Sequence, residues 1–445
     1  MCIRDRHYTA PPTIGGVEAV IQAHAQAFLR AGYPVTIVAG QGDEAYLPDG
    51  VELIRIPQID SRHPLVMEMS EELKEGRVPA GLDDFGESLA RSLQSRLGAF
   101  DNLIAHNVLS KDFNLPLTVA LFRLLDAGAL PNLIAWNHDF SWTSPGSRAR
   151  MHEGYPWDLL RTYHPRITYV VVSEQRRQEL AGLLGCPPER IHVVYNGVDP
   201  RSLLGLSDEG WHLVERLGLL EADLVLLMPV RVTAAKNIEL ALHVVAALKE
   251  RIARPLLIHT GPPDPHDPRS HAYFRTLQKQ RRELGLEAEV RFVFESGPDP
   301  DEGLIVDFSV VADLYRASDL MFMSSHREGF GMPVLEAAMV NLPVASTGVP
   351  AAVEIGHEDV ILFDPDDDPA SIAGQIVAWA ESSPVHRLRR RVRQTLTWDT
   401  IFERRIRPLL KPPRRAEAVS YTHLRAHETV LDLVCRLLLE KKKTT

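Results

Sequence analysis

Apolar residues in this chain fall into short continuous runs that alternate with stretches of helical spacing. Runs at 35–39, 51–56, 102–106, 132–137, 167–173 and 191–195 predict buried strands in the first half. Between them Val17, Val20, Ile21, His24 and Phe28 recur at helical spacing, as do the apolar residues of 115–125 and 175–184. The second half restarts the theme with runs at 224–229, 256–260, 290–294, 320–324, 344–346 and 361–363. Strands apolar on both faces need helices on both faces, so the alternation predicts α/β layers on parallel sheets. The reading is two doubly wound units with a boundary near 199–208, neither a clear sequence repeat of the other. Pro- and Asp-rich stretches at 261–268 and 297–303 read as surface excursions.

Both ends break this pattern. Residues 1–6 and the tail from 420 to 445 resemble translated sequencing-adapter read-through, and both are set aside from functional reasoning, as tags would be. The plainer alternative is an ordinary first strand and a basic amphipathic last helix. The remaining stretch of about 410 residues exceeds what one core usually organises, which again predicts two domains. A composition of 45% hydrophobic and 24% charged residues is that of a soluble globular protein. The net charge of −10 argues against a general nucleic-acid binder while leaving room for a local basic pocket. With Cys2 and Cys435 in the suspect ends, Cys186 stands alone, which provides no disulfide framework and suits a cytoplasmic location. No apolar run reaches the roughly 20 residues that span a bilayer. Peripheral membrane contact stays possible.

The segment Glu328-Gly-Phe-Gly-Met-Pro-Val-Leu-Glu336 carries the most chemical information. It follows a predicted strand, and Pro333 suits the first turn of a helix, where its missing N–H costs nothing. Gly329 and Gly331 allow close approach of backbone amides to a ligand, and a helix N-terminus favours phosphate or electron-rich oxygens. Glu328 in the loop and Glu336 in the early helix can accept hydrogen bonds from vicinal hydroxyls. Taken alone, the segment also fits a strand, a turn and two solvated glutamates. Arg231 and Lys236 follow another predicted strand, where they can neutralise a pyrophosphate or form a solvated pair. Gly15 and Gly16 precede a predicted helix and can lay amides against a diphosphate, or simply turn the chain. His138, at a predicted strand end beside Asp139, is either a cleft residue or a satisfied core histidine. Asp299-Pro-Asp301 and Asp364-Pro-Asp366 superficially offer a metal site, but their Pro- and Asp-rich settings read as turns, so no metal is assigned.

In this order along the chain, these features resemble the retaining glycosyltransferases of family 4. The resemblance spans residues 11 to 410 and includes Pro12-Thr-Ile-Gly-Gly-Val-Glu18, Trp136-Asn-His-Asp139, Tyr195-Asn-Gly-Val-Asp199, Arg231 with Lys236, and the Glu328–Glu336 segment. Val230 stands where the family usually has Gly. The resemblance implies GT-B architecture: two Rossmann-like doubly wound parallel-sheet domains facing a central cleft, with residues 7–205 on the acceptor side and 206–395 binding the nucleotide sugar. Residues 396–418 would return to the N-terminal domain. The family normally begins with a buried strand before the Gly15-Gly16 loop; residues 1–6 place charge there, so that strand is expected to be missing.

By the same resemblance, a hexosyl unit would pass with retention from a nucleoside diphosphate sugar to an acceptor hydroxyl, without metal or other cofactor. Arg231, Lys236 and the helix after Gly331 would stabilise the departing phosphate; His138 and Glu328 would meet the reacting sugar, and Glu336 the ribose. Gly15, Gly16, Gly329, Phe330, Gly331 and Met332 would complete donor binding. The acceptor, whether a sugar, a small metabolite or a lipid-linked glycan, is left open. Another GT-B reaction, such as a sugar phosphorylase or nucleotide-sugar epimerase, and a non-catalytic nucleotide-sugar-binding protein are the alternatives. A nicotinamide-dependent dehydrogenase fits less well, because no Gly-x-Gly-x-x-Gly closes a strand.

Overall fold

The computed structural model describes residues 16–97, 100–264, 266–267, 269–297 and 303–411. Gly15, the terminal segments 1–6 and 420–445, and the Asp299-Pro-Asp301 turn lie outside the described residues. The chain divides into two compact units, one running to Gly197 and resuming at Trp398, the other formed by Val198–Thr397.

In the first unit, β1 (Val35–Ala39) and β2 (Val51–Arg55) form a parallel pair. Strands β3 (Asn102–His106), β4 (Asn132–Asn137), β5 (Ile167–Val171) and β6 (Ile191–Val193) form a parallel sheet in that order. Leu103, Ile104, Leu133–Trp136 and Val170 are buried in it, as strands covered on both faces require. β5 is shorter than its apolar run suggests. Ser173 caps the next helix, its side chain accepting from Arg176 N at 3.2 Å, and this takes the chain out of the ladder. β2 likewise stops before Ile56, where Pro57 begins a 3₁₀ turn. The segment from Trp398 returns to the helix Gly16–Arg30: the Trp398 ring lies 5.3 Å from His24, Phe402 lies 4.8 Å from Phe28, and Arg30 donates to Asp399 at 2.6 and 3.0 Å.

The second unit contains β7 (Leu224–Met228), β8 (Pro255–His259), β9 (Val290–Phe292), β10 (Leu320–Met323), β11 (Val344–Thr347) and β12 (Ile361–Phe363). Their spatial order is β12-β11-β10-β7-β8-β9, and every pair is parallel. The order of travel therefore reverses between β7 and β10, which are neighbours through the register Leu320↔Leu226 and Met321↔Leu227. In open α/β sheets such a switch point separates the loops that follow the two strands and leaves a crevice at their carboxyl ends.

The opposite ends of the same two strands are clamped by one helix, Pro384–Thr395. Arg393 donates to both carboxylate oxygens of Asp319, just before β10, at 3.0 and 2.9 Å. Arg390 donates to Asp223, just before β7, at 2.6 and 3.0 Å. Asp319 also accepts from the backbone N–H of Val225 at 2.9 Å, so it joins both switch strands directly.

Candidate active site

The loops following β7 and β10 meet at the switch point. After β7 the chain passes Arg231 and the 3₁₀ turn Ala234–Lys236, then enters the helix Ile238–Lys249 through Asn237, whose φ of 48° is one that asparagine tolerates. Ser324, just past β10, donates its hydroxyl to the carbonyls of Asn237 and Lys236 at 2.8 and 3.1 Å. His326 N donates to Ala235 O at 2.9 Å. Thr347, at the end of β11, donates to Ser325 O at 2.7 Å. Three strand ends are thus cross-bonded, and side chains far apart in sequence are brought into one place.

Lys236 Nζ lies 2.5 Å from Glu328 Oε1, and Ser325 Oγ donates to the same oxygen at 2.7 Å. Both members of the ion pair are largely buried, with side chains 20% and 14% exposed. Glu328 therefore projects from a fixed position, and Lys236 supplies a cation at the crevice. Glu336 lies one turn into the helix Met332–Met339 and accepts from the Tyr315 hydroxyl at 2.7 Å. Burial, reinforced by that bond to a carboxylate, pushes the Tyr315 phenol far above its ordinary range and keeps it a donor.

Gly331 begins this helix at φ 103°, and a Cβ there would stand 3.2 Å from Val349 Cγ2. The backbone conformation requires glycine. Gly329 and Gly16 differ: a Cβ at either meets nothing within 4 Å, so packing among the described residues does not require them to be glycine. Phe330 O accepts from Ala351 N at 2.8 Å, while the Phe330 and Met332 side chains are exposed at 39% and 55%. A cavity of about 630 Å³ opens beside Glu328 and is also lined by Ser325, Thr347, Pro350 and Asp364. Asp364 is engaged in a turn, with its N–H donating to Asp367 and its carboxylate accepting from Asp366 N.

Arg231 is placed differently from Lys236. Its side chain is 62% exposed and, among the described residues, its ion-pair partner is Asp264, at 3.9 Å. A phosphate oxygen can reach this guanidinium without first displacing a close ion pair.

In the first unit, His138 follows β4 and is anchored by two consecutive residues at the end of β3. Asn107, at φ 58°, accepts through its side-chain oxygen from His138 N at 2.8 Å. His106 Nδ1 lies 3.2 Å from His138 Nε2. Asp139 is bonded to Lys111 at 2.8 Å, and Arg176 lies 3.5 Å away. Burial opposes ionisation of Asp139, but Lys111 and then Arg176 hold its carboxyl below the ordinary range.

Of the residues expected from sequence, Lys236 and Glu328 come into contact, Glu336 and Gly331 share one helix start, and Arg231 stands on the neighbouring loop. Gly16 and His138 belong to the other unit. Ser325, Tyr315, His106 and Asn107 were not anticipated. Tyr315 precedes Glu336 by 21 positions, a separation that carries no periodic signal. The pair His106-Asn107 at a strand end was a usable signal, because an asparagine just past a strand is suited to positive φ.

Parallel sheets flanked by helices in both units are the α/β layers of GT-B architecture, with a Lys–Glu pair and a second glutamate at the sheet switch of the second unit. Comparison with known proteins agrees: residues 211–395 match the family described as Glycosyl transferases group 1, and residues 88–202 match Glycosyltransferase Family 4. Each match covers less than half of the chain, and together they mark it as a family 4-like glycosyltransferase. It is 24% identical over 361 residues to mannosylglucosylglycerate synthase of Petrotoga mobilis, covering 76% of this chain and 80% of that protein. It is 26% identical over 387 residues to D-inositol 3-phosphate glycosyltransferase 1 of Catenulispora acidiphila, covering 82% of each. With several other relatives the match spans only about half of their length. Among solved structures, Anabaena HepE in complex with UDP-glucose is 19% identical, covering 73% of this chain and 81% of that one, with a TM-score of 0.33.

Proposed function

We propose that the protein moves a hexosyl unit from a nucleoside diphosphate sugar to an acceptor hydroxyl, with retention at the anomeric carbon and without a metal ion. The observation that carries this reading is the Lys236–Glu328–Ser325 cluster at the β7/β10 switch, with Glu336 one helix turn further on. In the reaction the bond from the anomeric carbon to the phosphate oxygen breaks, and its electron pair stays on the diphosphate. The acceptor oxygen bonds to the same face of that carbon, and the acceptor proton passes to the departing phosphate oxygen.

Negative charge grows on the diphosphate as it leaves. Lys236, Arg231 and the amides that open the helix Met332–Met339 are the groups assigned to it, pre-oriented so that little reorganisation is needed. Lys236 would exchange part of its contact with Glu328 for phosphate, leaving the Glu328 carboxylate to accept from sugar hydroxyls. Glu336, oriented by Tyr315, would accept from the ribose hydroxyls. His138 is assigned to the sugar or acceptor. No carboxylate is assigned as a covalent nucleophile, so attack and departure on one face are preferred to a glycosyl-enzyme intermediate.

The test is a donor screen with UDP-, GDP- and ADP-sugars, scored for nucleotide release with and without EDTA, and for the anomeric configuration of the product by NMR. Release insensitive to EDTA, with an α-linked product from an α-linked donor, is expected. An inverted product, or activity restored only by a divalent cation, would overturn the corresponding part.

A further inference from the structure

Three histidines meet near the carboxyl ends of β3 and β4. His106 closes β3 with 1% exposure and pairs in register with Trp136 of β4. Its ring centroid lies 5.5 Å from that of His138, with the planes 21° from parallel, and 5.4 Å from that of His24. His24 is enclosed by Trp136, Trp398 and Phe28, and neither of its ring nitrogens has a hydrogen-bond partner among the described residues. It is held neutral and acts as part of the wall behind His106.

The 3.2 Å separation between His106 Nδ1 and His138 Nε2 requires one nitrogen to carry the proton and the other the lone pair. Which ring nitrogen of a histidine is protonated is set by the bond the other nitrogen makes. Meanwhile Asn107 holds the backbone amides of His138 and Asp139, at 2.8 and 3.4 Å. The end of β3 therefore grips His138 at two points, backbone and ring.

We propose that His106 is a positioning residue for the transfer reaction, fixing the tautomer and ring orientation of His138 through the Nδ1–Nε2 bond. This rests on the role given to His138 above. With 1% exposure His106 is shielded from a bound sugar by its surroundings, so its effect should appear in turnover and not in donor binding.

The experiment uses the full chain and the nucleotide sugar it hydrolyses in the donor screen. His106→Leu keeps a buried side chain of similar bulk but removes the nitrogen; His106→Asn returns a polar atom near the Nδ1 position. Expected results are a fall in kcat of about 10–100-fold for His106→Leu, the scale seen when a histidine loses its orienting partner, with donor KM within about twofold. His106→Asn should recover most of the loss. Adding His106→Leu to His138→Ala should cost nothing further, because residues acting as one unit are non-additive. Histidine ¹⁵N spectra of the ligand-free protein should show one His138 tautomer, mixed in His106→Leu.

Normal kcat in His106→Leu, no recovery in His106→Asn, or a full additional loss in the His138→Ala background would overturn the proposal. Normal kcat in His138→Ala itself would instead remove the role of His138. Should His106→Leu fail to fold, the ¹⁵N spectrum of the unmodified protein decides: a tautomer mixture at His138 overturns the coupling.

Discussion

Replacing Arg393 by Met should destabilise the second unit while leaving the groups at the sheet switch chemically intact. Arg393 is 7% exposed, and its partner Asp319 has a side chain with no exposure at all. Losing one member of a buried pair typically costs 3–5 kcal/mol, because the remaining charge is left uncompensated. Three local facts favour the low end. Asp319 keeps the Val225 N–H, Arg389 Nε lies 3.9 Å from the same carboxylate, and Arg393 Nε is itself buried without a partner among the described residues. A cost of about 3 kcal/mol follows. For a unit of this size each kcal/mol moves Tm by roughly 2–4 °C, giving a shift of roughly 6–12 °C.

Calorimetry of the full chain should show one transition moved by that amount. In a second variant Asp319→Asn is added: the amide oxygen still accepts from Val225 N, but no charge is stranded, so more than half of the loss should return. A shift below about 2 °C in Arg393→Met, or no recovery in the double variant, would show that the clamp does not hold the switch strands as argued.

Lys236→Ala should lower donor turnover by about 10²–10³, as loss of one group stabilising transition-state charge does, and near-normal turnover would refute that assignment. Glu336→Gln should weaken nucleotide binding by about 1.5–3 kcal/mol by titration calorimetry; unchanged affinity would free Glu336 from the ribose. Gly331→Ala should cost roughly 1–3 kcal/mol in urea unfolding, given its φ of 103°, whereas Gly329→Ala should be tolerated. His24 should make the first unit acid-sensitive. Burial, then the charge of His138, lowers its pKa from 6.5 to about 3, so the unfolded chain binds the proton first. Its contribution is fully present above pH 6.5 and falls by about 1.4 kcal/mol per unit as pH drops toward 3. His24→Leu should flatten that slope in urea midpoints measured across this range.

The central strands were legible because each had to be buried on both faces, as β3, β7 and β8 are, whereas edge strands such as β2 are half-exposed. A run such as Leu224–Met228 has no polar face to spend on solvent, and apolar content alone marks it. Their ends were less legible. Ser173 continued an apolar run by position but capped a helix by hydrogen bonding, a choice made by φ and ψ that hydropathy does not encode. In the site, Gly331 was readable as a backbone requirement, yet Gly329 and Gly16 look the same in sequence and have no such requirement from their neighbours.

What sequence by itself determined was local: which segments are strands, and which loops carry Arg231, Lys236, Glu328 and Glu336. Strand order belonged to the tertiary structure. Nothing in the runs at 224–228 and 320–323 says that they are neighbours, and only their pairing sets Lys236 2.5 Å from Glu328 across 92 positions. The same holds for Asp319 and Arg393 beneath the sheet and for His106 beside His138. Periodicity records how a residue relates to its own strand or helix; a charge pair or a shared proton depends on distances between elements, which are set when the whole sheet closes on its core.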